Sequence, residues 1–232
     1  MAEDLGKYTR RNLSSRFTFN LSVNAQILIV NVLFFIGVLL FLAFSKQYSL
    51  DSPEFWKYIA ISPNNILAGK YLWTFITSMF MHAGILHLLV NMLSLVFVGS
   101  LVEKLIGKKR YLTFYLASGI FASVFFILVS YFTGQGLESY AVGASGALFA
   151  LIGFLMLITP NLPVYMMFIP IPIKMKYAAT LMLAILWLIS LAANIPIGNT
   201  AHLGGLIAGL IYGFYIRKKY KRKSALISKY FS

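Results

Sequence analysis

The chain has 232 residues, is 59% hydrophobic and only 11% charged, and has a mean hydropathy of +0.80. A soluble domain of this size cannot hide that much apolar surface, so the composition points to a single polytopic membrane domain. The formal net charge of +14 does not indicate a nucleic-acid partner, because the basic residues fall in clusters separated by apolar stretches. There is no cysteine, hence no disulfide or thiolate chemistry, and the polar, basic first twenty residues lack the apolar core of a signal peptide.

In chain order, the sequence opens with a basic tail, residues 1–24, holding Lys7, Arg10, Arg11 and Arg16. Six apolar spans are then expected over residues 25–44, 84–103, 111–132, 145–159, 177–194 and 200–216, and a basic tail, 217–232, closes the chain. Residues 25–216 therefore read as one membrane domain. Between the first two spans lies a long loop, 45–83, rich in aromatics (Phe55, Trp56, Tyr58, Tyr71, Trp73, Phe75, Phe80) and broken by Pro53, Pro63 and Gly69. Such a segment is expected at the membrane interface or as a re-entrant structure. The cluster Lys104, Lys108, Lys109 and Arg110, the pair Lys174 and Lys176, and both tails fall on one side of the membrane; loops 133–144 and 195–199 carry no Lys or Arg. By the positive-inside rule both termini are cytoplasmic.

Spans two, four and six run in the same direction, and each carries unusual polar groups near its outer end. They are His87 and Asn91, then Ser145, then His202. Counted from the cytoplasmic ends, at 1.5 Å per residue, Asn91, Ser145 and His202 lie about 20 to 22 Å up their helices, somewhat below the outer surface of a hydrocarbon core roughly 30 Å thick. Alone, Ser145 would usually bond back to a carbonyl one turn earlier, and Asn91 would serve as glue between helices. A histidine at depth is less easily dismissed. His87 and Asn91, spaced i and i+4, share one face of their helix. Gly146, Ala150 and Gly153 in span four, and Ala201, Gly205, Gly209 and Gly213 in span six, form small-residue stripes that allow close helix crossing.

A serine beside a histidine is a nucleophile with a general base. The six acids, Glu3, Asp4, Asp51, Glu54, Glu103 and Glu138, all lie in tails, loops or the cytoplasmic end of span two, so a Ser-His dyad is expected rather than a triad. The same census excludes an aspartyl intramembrane protease and a His-Glu-x-x-His zinc site. His82, His87 and His202 do not form a convincing metal set, since His82 and His87 are five apart and no acid supports them. No metal and no cofactor are expected. The start of span four offers free N–H groups to an acyl oxyanion, with His87 and Asn91 adding side-chain donors.

These residues resemble the motifs of the rhomboid intramembrane serine proteases. Gly143-Ala144-Ser145-Gly146 looks like their Gly-x-Ser-Gly, and His82-AGIL-His87-LLV-Asn91 resembles their His-x4-His-x3-Asn. Gly198-NT-Ala201-His202-LG-Gly205 resembles the last-helix motif, and Gly99-SLV-Glu103-KLI-Gly107 is similar to Gly-x3-Glu-x3-Gly. The resemblance runs from about residue 73 to 213. It implies an all-α, six-span bundle with Ser145 as nucleophile, His202 as base, and the Ser145 amide, His87 and Asn91 as oxyanion hole. It also implies single-span membrane proteins as substrates, cut at or near the outer part of the membrane, and a prokaryotic cell membrane as the location. Gly143, Gly146, His82, Phe149, Ala201 and Gly205 would support the site. Two departures stand out: Thr74 replaces the arginine of a Trp-Arg pair that anchors the first loop, and Phe149 stands where many members have a tyrosine stacked on the histidine. Rival readings of the same helices are a non-catalytic protein that holds membrane clients and a small transporter with a polar midplane site.

Overall fold

The computed structural model describes residues 21–45, 48–50, 52–165, 171–193 and 198–231. Most of the N-terminal tail, and parts of loops 160–173 and 195–199, lie outside them. The long helices are α1 (Val23–Phe44), α5 (Ile85–Ile106), α6 (Lys108–Thr133), α7 (Ser145–Ile158), α8 (Met175–Ala193) and α9 (Asn199–Lys219). Each matches an expected span to within a few residues. The short helices α2 (Pro53–Ile59), α3 (Pro63–Leu67) and α4 (Thr74–Thr77) occupy the first loop, and α10 (Lys221–Tyr230) follows α9. Four helices, α1, α5, α6 and α8, are long and apolar enough to cross a membrane, which makes this an integral, multi-pass membrane protein.

Helix α7 is the centre. It is only 14 residues long, and Ala147 to Leu151, Gly153 to Leu155 and Ile158 are buried. It packs against α6, α8 and, most extensively, α9. The glycine stripes make that last contact possible. A Cβ on Gly205 would fall on the Gly146 carbonyl oxygen, and one on Gly209 would fall on the Ala150 carbonyl oxygen. The two backbones therefore touch, as small-residue stripes permit.

Helix α1 is held differently. Ser22 caps it by accepting from the Ala25 amide at 3.0 Å, and the Glu103 carboxylate accepts from the Val23 and Asn24 amides at 2.9 and 2.8 Å. A carboxylate at a helix N-terminus satisfies otherwise unpaired donors and meets the positive end of the dipole. Asn24 reaches into α5, donating to the Leu95 carbonyl at 2.8 Å and to Ser100 Oγ at 3.1 Å, while Tyr111 donates to Asn24 Oδ1 at 2.6 Å. Leu95–Gly99 is a π-helical turn, and any side chain on Gly99 would collide with Asn24 and Tyr111. Gly107, at φ 83°, then turns the chain from α5 into α6. The Gly-x3-Glu-x3-Gly motif is thus a socket for the start of α1 followed by a hinge.

The first loop is anchored without the arginine. Trp73 Nε1 donates to the Tyr58 carbonyl at 2.9 Å, Thr77 donates to the Ile59 carbonyl at 2.9 Å, and Thr74, fully buried, donates to the Tyr71 carbonyl at 2.7 Å. Ile61 pairs with Ala141 through two backbone bonds, which ties this loop to the one preceding α7. Two features depart from what the sequence leads one to expect. Pro163–Val164 and Ile173–Lys174 form a small antiparallel ribbon, and residues expected as a plain basic tail extend α9 to Lys219 and then form α10. Ser224 and Ile227 turn α10 back onto the body of the protein.

Candidate active site

The N-terminal ends of α5, α7 and α9 converge. Ser145 is the first residue of α7 and His202 lies in the first turn of α9. His202 Nε2 stands 2.7 Å from Ser145 Oγ, a full hydrogen bond. The crossing that brings them together is the glycine contact described above: Gly205 sits one turn beyond His202 and meets Gly146, the residue after Ser145. Phe149, one turn along α7, stacks on the His202 ring with centroids 4.7 Å apart and planes 22° apart. His202 is buried, and its Nδ1 has no partner among the described residues. Among the described residues no carboxylate therefore orients the imidazole through Nδ1; the Phe149 face and the bond to Ser145 hold its plane.

Gly143 shapes the approach. Its φ is 125°, which strongly favours glycine, and a Cβ there would lie 2.8 and 2.9 Å from His87 Cε1 and Nε2. The His87 ring thus rests over the backbone two residues before Ser145. The Gly143 amide is engaged, donating to the Ser78 carbonyl at 2.8 Å. Gly146 lets α6 close in from the other side, since a Cβ on it would come within 2.9 Å of the Ala122 Cβ. His82 is fully buried beneath His87, their rings 5.1 Å apart at 71°.

A cavity of about 430 Å³ joins these groups, with Ser145, His202, His87 and Asn91 in its wall together with Met182 and Leu186 of α8. Ala201 also lines it. Asn91 donates one amide proton to the His87 carbonyl at 2.7 Å, and its Oδ1 has no partner among the described residues. One of its two N–H donors is thus spent within α5, leaving one for the cavity. The free amides of the first turn of α7 open towards the same space.

Sequence reasoning does not find Ser78, Met182 or Leu186. Ser78 acts through its backbone carbonyl, which leaves no residue-type signal. Met182 and Leu186 are ordinary apolar residues of α8, marked only by their i, i+4 spacing.

Comparison with known proteins fits this geometry. Residues 69–219 match the family model described as "Rhomboid domain". The chain is 39% identical over 167 residues to "RHOMBOID-like protein 1" of Arabidopsis thaliana, covering 69% of this chain and 39% of that protein. It is 30% identical over 187 residues to "RHOMBOID-like protein 7" of the same plant, covering 78% of this chain and 55% of the relative. It is 33% identical over 151 residues to "Rhomboid protease GluP" of Bacillus subtilis (strain 168), covering 63% of this chain and 26% of that protein. The chain therefore spans about half, or less, of the length of these relatives. A family model matched over well more than half of the chain, on the helices that carry the Ser145–His202 contact, establishes that this protein belongs to the rhomboid family.

Proposed function

We propose that this protein is a six-span intramembrane serine endopeptidase that cleaves single-span membrane proteins with a Ser145–His202 dyad. The observation that carries the reading is the 2.7 Å bond from Ser145 Oγ to His202 Nε2, under a stacked Phe149 and beside a cavity. As Ser145 Oγ attacks a scissile carbonyl, its proton passes to His202 Nε2. The carbonyl oxygen gathers negative charge where the Ser145 amide, His87 and the remaining Asn91 N–H lie, and these donors would stabilise it. His202 then returns the proton to the leaving amine. A water, deprotonated by His202, hydrolyses the acyl-enzyme and regenerates Ser145.

The remaining parts follow the same logic. Spans α7 and α9 complete a set of six with α1, α5, α6 and α8. The first loop covers the site as an interfacial or re-entrant segment, tied down at Ile61 and Ala141. The basic clusters support cytoplasmic termini, so the cavity would open to the outer side of a prokaryotic cell membrane. Neither nucleic acid nor a metal or other cofactor has a part in this chemistry.

The test is labelling with a fluorophosphonate probe. Wild type should label, and Ser145→Ala and His202→Ala should each lose labelling and cleavage of a single-span substrate while remaining folded. The double variant should be no worse than either single one, because the two act as a unit. Cleavage by purified Ser145→Ala would end this reading.

A further inference from the structure

For His202 Nε2 to take the proton of Ser145 it must be the acceptor of their 2.7 Å bond. The proton of the neutral imidazole then sits on Nδ1. That N–H is a buried donor with no partner among the described residues, and such a group is costly to leave unpaired. Less than one turn back on the same helix, Asn199 is 5% exposed, and its Oδ1 is a buried acceptor, also without a partner among the described residues. One lacks an acceptor and the other lacks a donor.

The helix brings the two together. Asn199 and His202 are i and i+3, so they share a face of α9, and the His202 amide donates to the Gly198 carbonyl at 3.0 Å, which holds the first turn in helical form. Long side chains on a helix lean back towards its N-terminus, which carries the His202 ring towards Asn199. The ordinary reason for an asparagine at a helix start does not apply. Gly198 is the cap, Asn199 is already inside α9, and its Oδ1 accepts from none of the amides that a capping side chain would serve. The α6 side chains nearby offer no substitute: Gly204 meets Phe125, and Ala201 packs against the cluster of Ile61, Phe126 and Ile127. Gly198, Ala201 and His202 line the dyad cavity but Asn199 does not, so it stands outside the space open to a substrate. We propose that Asn199 is a positioning residue for His202, its Oδ1 accepting the Nδ1 proton directly or across one bridging water. The bond selects the tautomer that leaves Nε2 free to accept, and it steadies the imidazolium formed when Ser145 gives up its proton. The bond itself does not require proteolysis, but its effect on turnover rests on the dyad reading above.

The chain has three histidines, so the ring protons of the full-length, histidine-labelled protein can be followed by NMR in detergent, with the His202 signal assigned by its loss in His202→Gln. In wild type its Nδ1 proton should lie at low field and exchange slowly with water. Asn199→Leu keeps the bulk and removes the acceptor. It should lose both properties, and kcat for a single-span substrate should fall about tenfold with KM unchanged, the worth of one neutral hydrogen bond. Asn199→Asp keeps an acceptor and should hold the proton at still lower field, with kcat within about twofold of wild type. A packing role predicts the opposite order, because a buried carboxylate without a donor is worse than leucine. An Asn199→Leu protein with an unmoved Nδ1 proton would overturn the proposal, whatever its rate. So would an Asn199→Asp protein that leaves the proton unmoved or does not fold, and that arm decides the matter if the leucine variant is unstable. Proton shifts as expected in a wild type that cleaves nothing would sink the protease reading and leave the bond standing.

Discussion

At its N-terminal end α7 borders a cavity whose polar groups, Ser145, His87, His202 and Asn91 among them, carry no permanent charge; at its C-terminal end it borders one walled by three cations, Arg217, Lys221 and Lys229. The two cavities are of similar volume and share a helix, yet they draw on opposite materials. The dyad end is enclosed by apolar side chains of α5, α6 and α8, where a permanent charge would be costly to desolvate. Groups that bond well while neutral are the ones that can stand there. At the other end α9 runs out into Arg217, Lys218 and Lys219, where charge meets water. Glu103 is the instructive exception, a carboxylate that is buried but surrounded by the free N–H groups at the start of α1. Charge in this protein tracks access to water or to a dedicated set of donors.

A charge moved to the wrong end should break the pattern most. Ile152→Lys in the dyad cavity should cost about 3 kcal/mol, the usual penalty for a lysine in a membrane helix, and lower the thermal midpoint markedly. Ala225→Lys in the basic cavity should change stability by under about 0.5 kcal/mol. Equal midpoints for the two variants would show that the dyad cavity is as wet as the other. Asn91→Ala should reduce turnover roughly a hundredfold, the lower end for loss of an oxyanion donor, because one of its protons is already committed to the His87 carbonyl. Single-turnover cleavage rates with stability unchanged would check this; an unaltered rate would return Asn91 to a packing role.

Smaller effects test how neutral and charged groups are held. Glu103→Gln keeps the shape but weakens two charge-assisted bonds, and should destabilise by about 1.5 kcal/mol while the folded protein keeps its activity. Denaturant unfolding followed by residual cleavage would separate the two. Phe149→Ala should slow cleavage about fivefold, from loss of a ring contact of about 1 kcal/mol, and Phe149→Tyr should not. A rate loss as large as that of His202→Ala would give Phe149 a role beyond orienting the ring.

Much of this was legible in the sequence because it is local or periodic. The six apolar stretches, the i, i+4 pair His87 and Asn91, and the four-residue glycine stripes all leave marks along a helix. The stripes even foretell which helices touch, since backbone contact has few other causes. The socket for α1 was not legible. Asn24 and Gly99 are 75 positions apart, and an asparagine at a helix start reads equally well as a cap. Thr74 looked like the loss of an anchor, but backbone carbonyls of Ile59, Tyr58 and Tyr71 accept from Thr77, Trp73 and Thr74, and carbonyls have no residue code. Helix α10 was hidden by its own lysines, whose charge suggests a solvated tail until Ser224 and Ile227 are seen turned inward.

The shortness of α7 bears on how the protein is made. At 14 residues it spans about 21 Å, well under the roughly 30 Å that a lone helix must cover in a bilayer. Helix α1, with 22 residues and a strongly apolar 18-residue stretch, is long and apolar enough to enter lipid by itself. Helix α7 cannot settle there alone, because lipid would meet the unpaired amides of its first turn and leave the Ser145 hydroxyl without its partner. Its insertion is therefore coupled to the arrival of α9, which follows it in synthesis and brings His202. The segment that carries Ser145 therefore settles together with α9, so the Ser145–His202 contact forms only once both helices are in place.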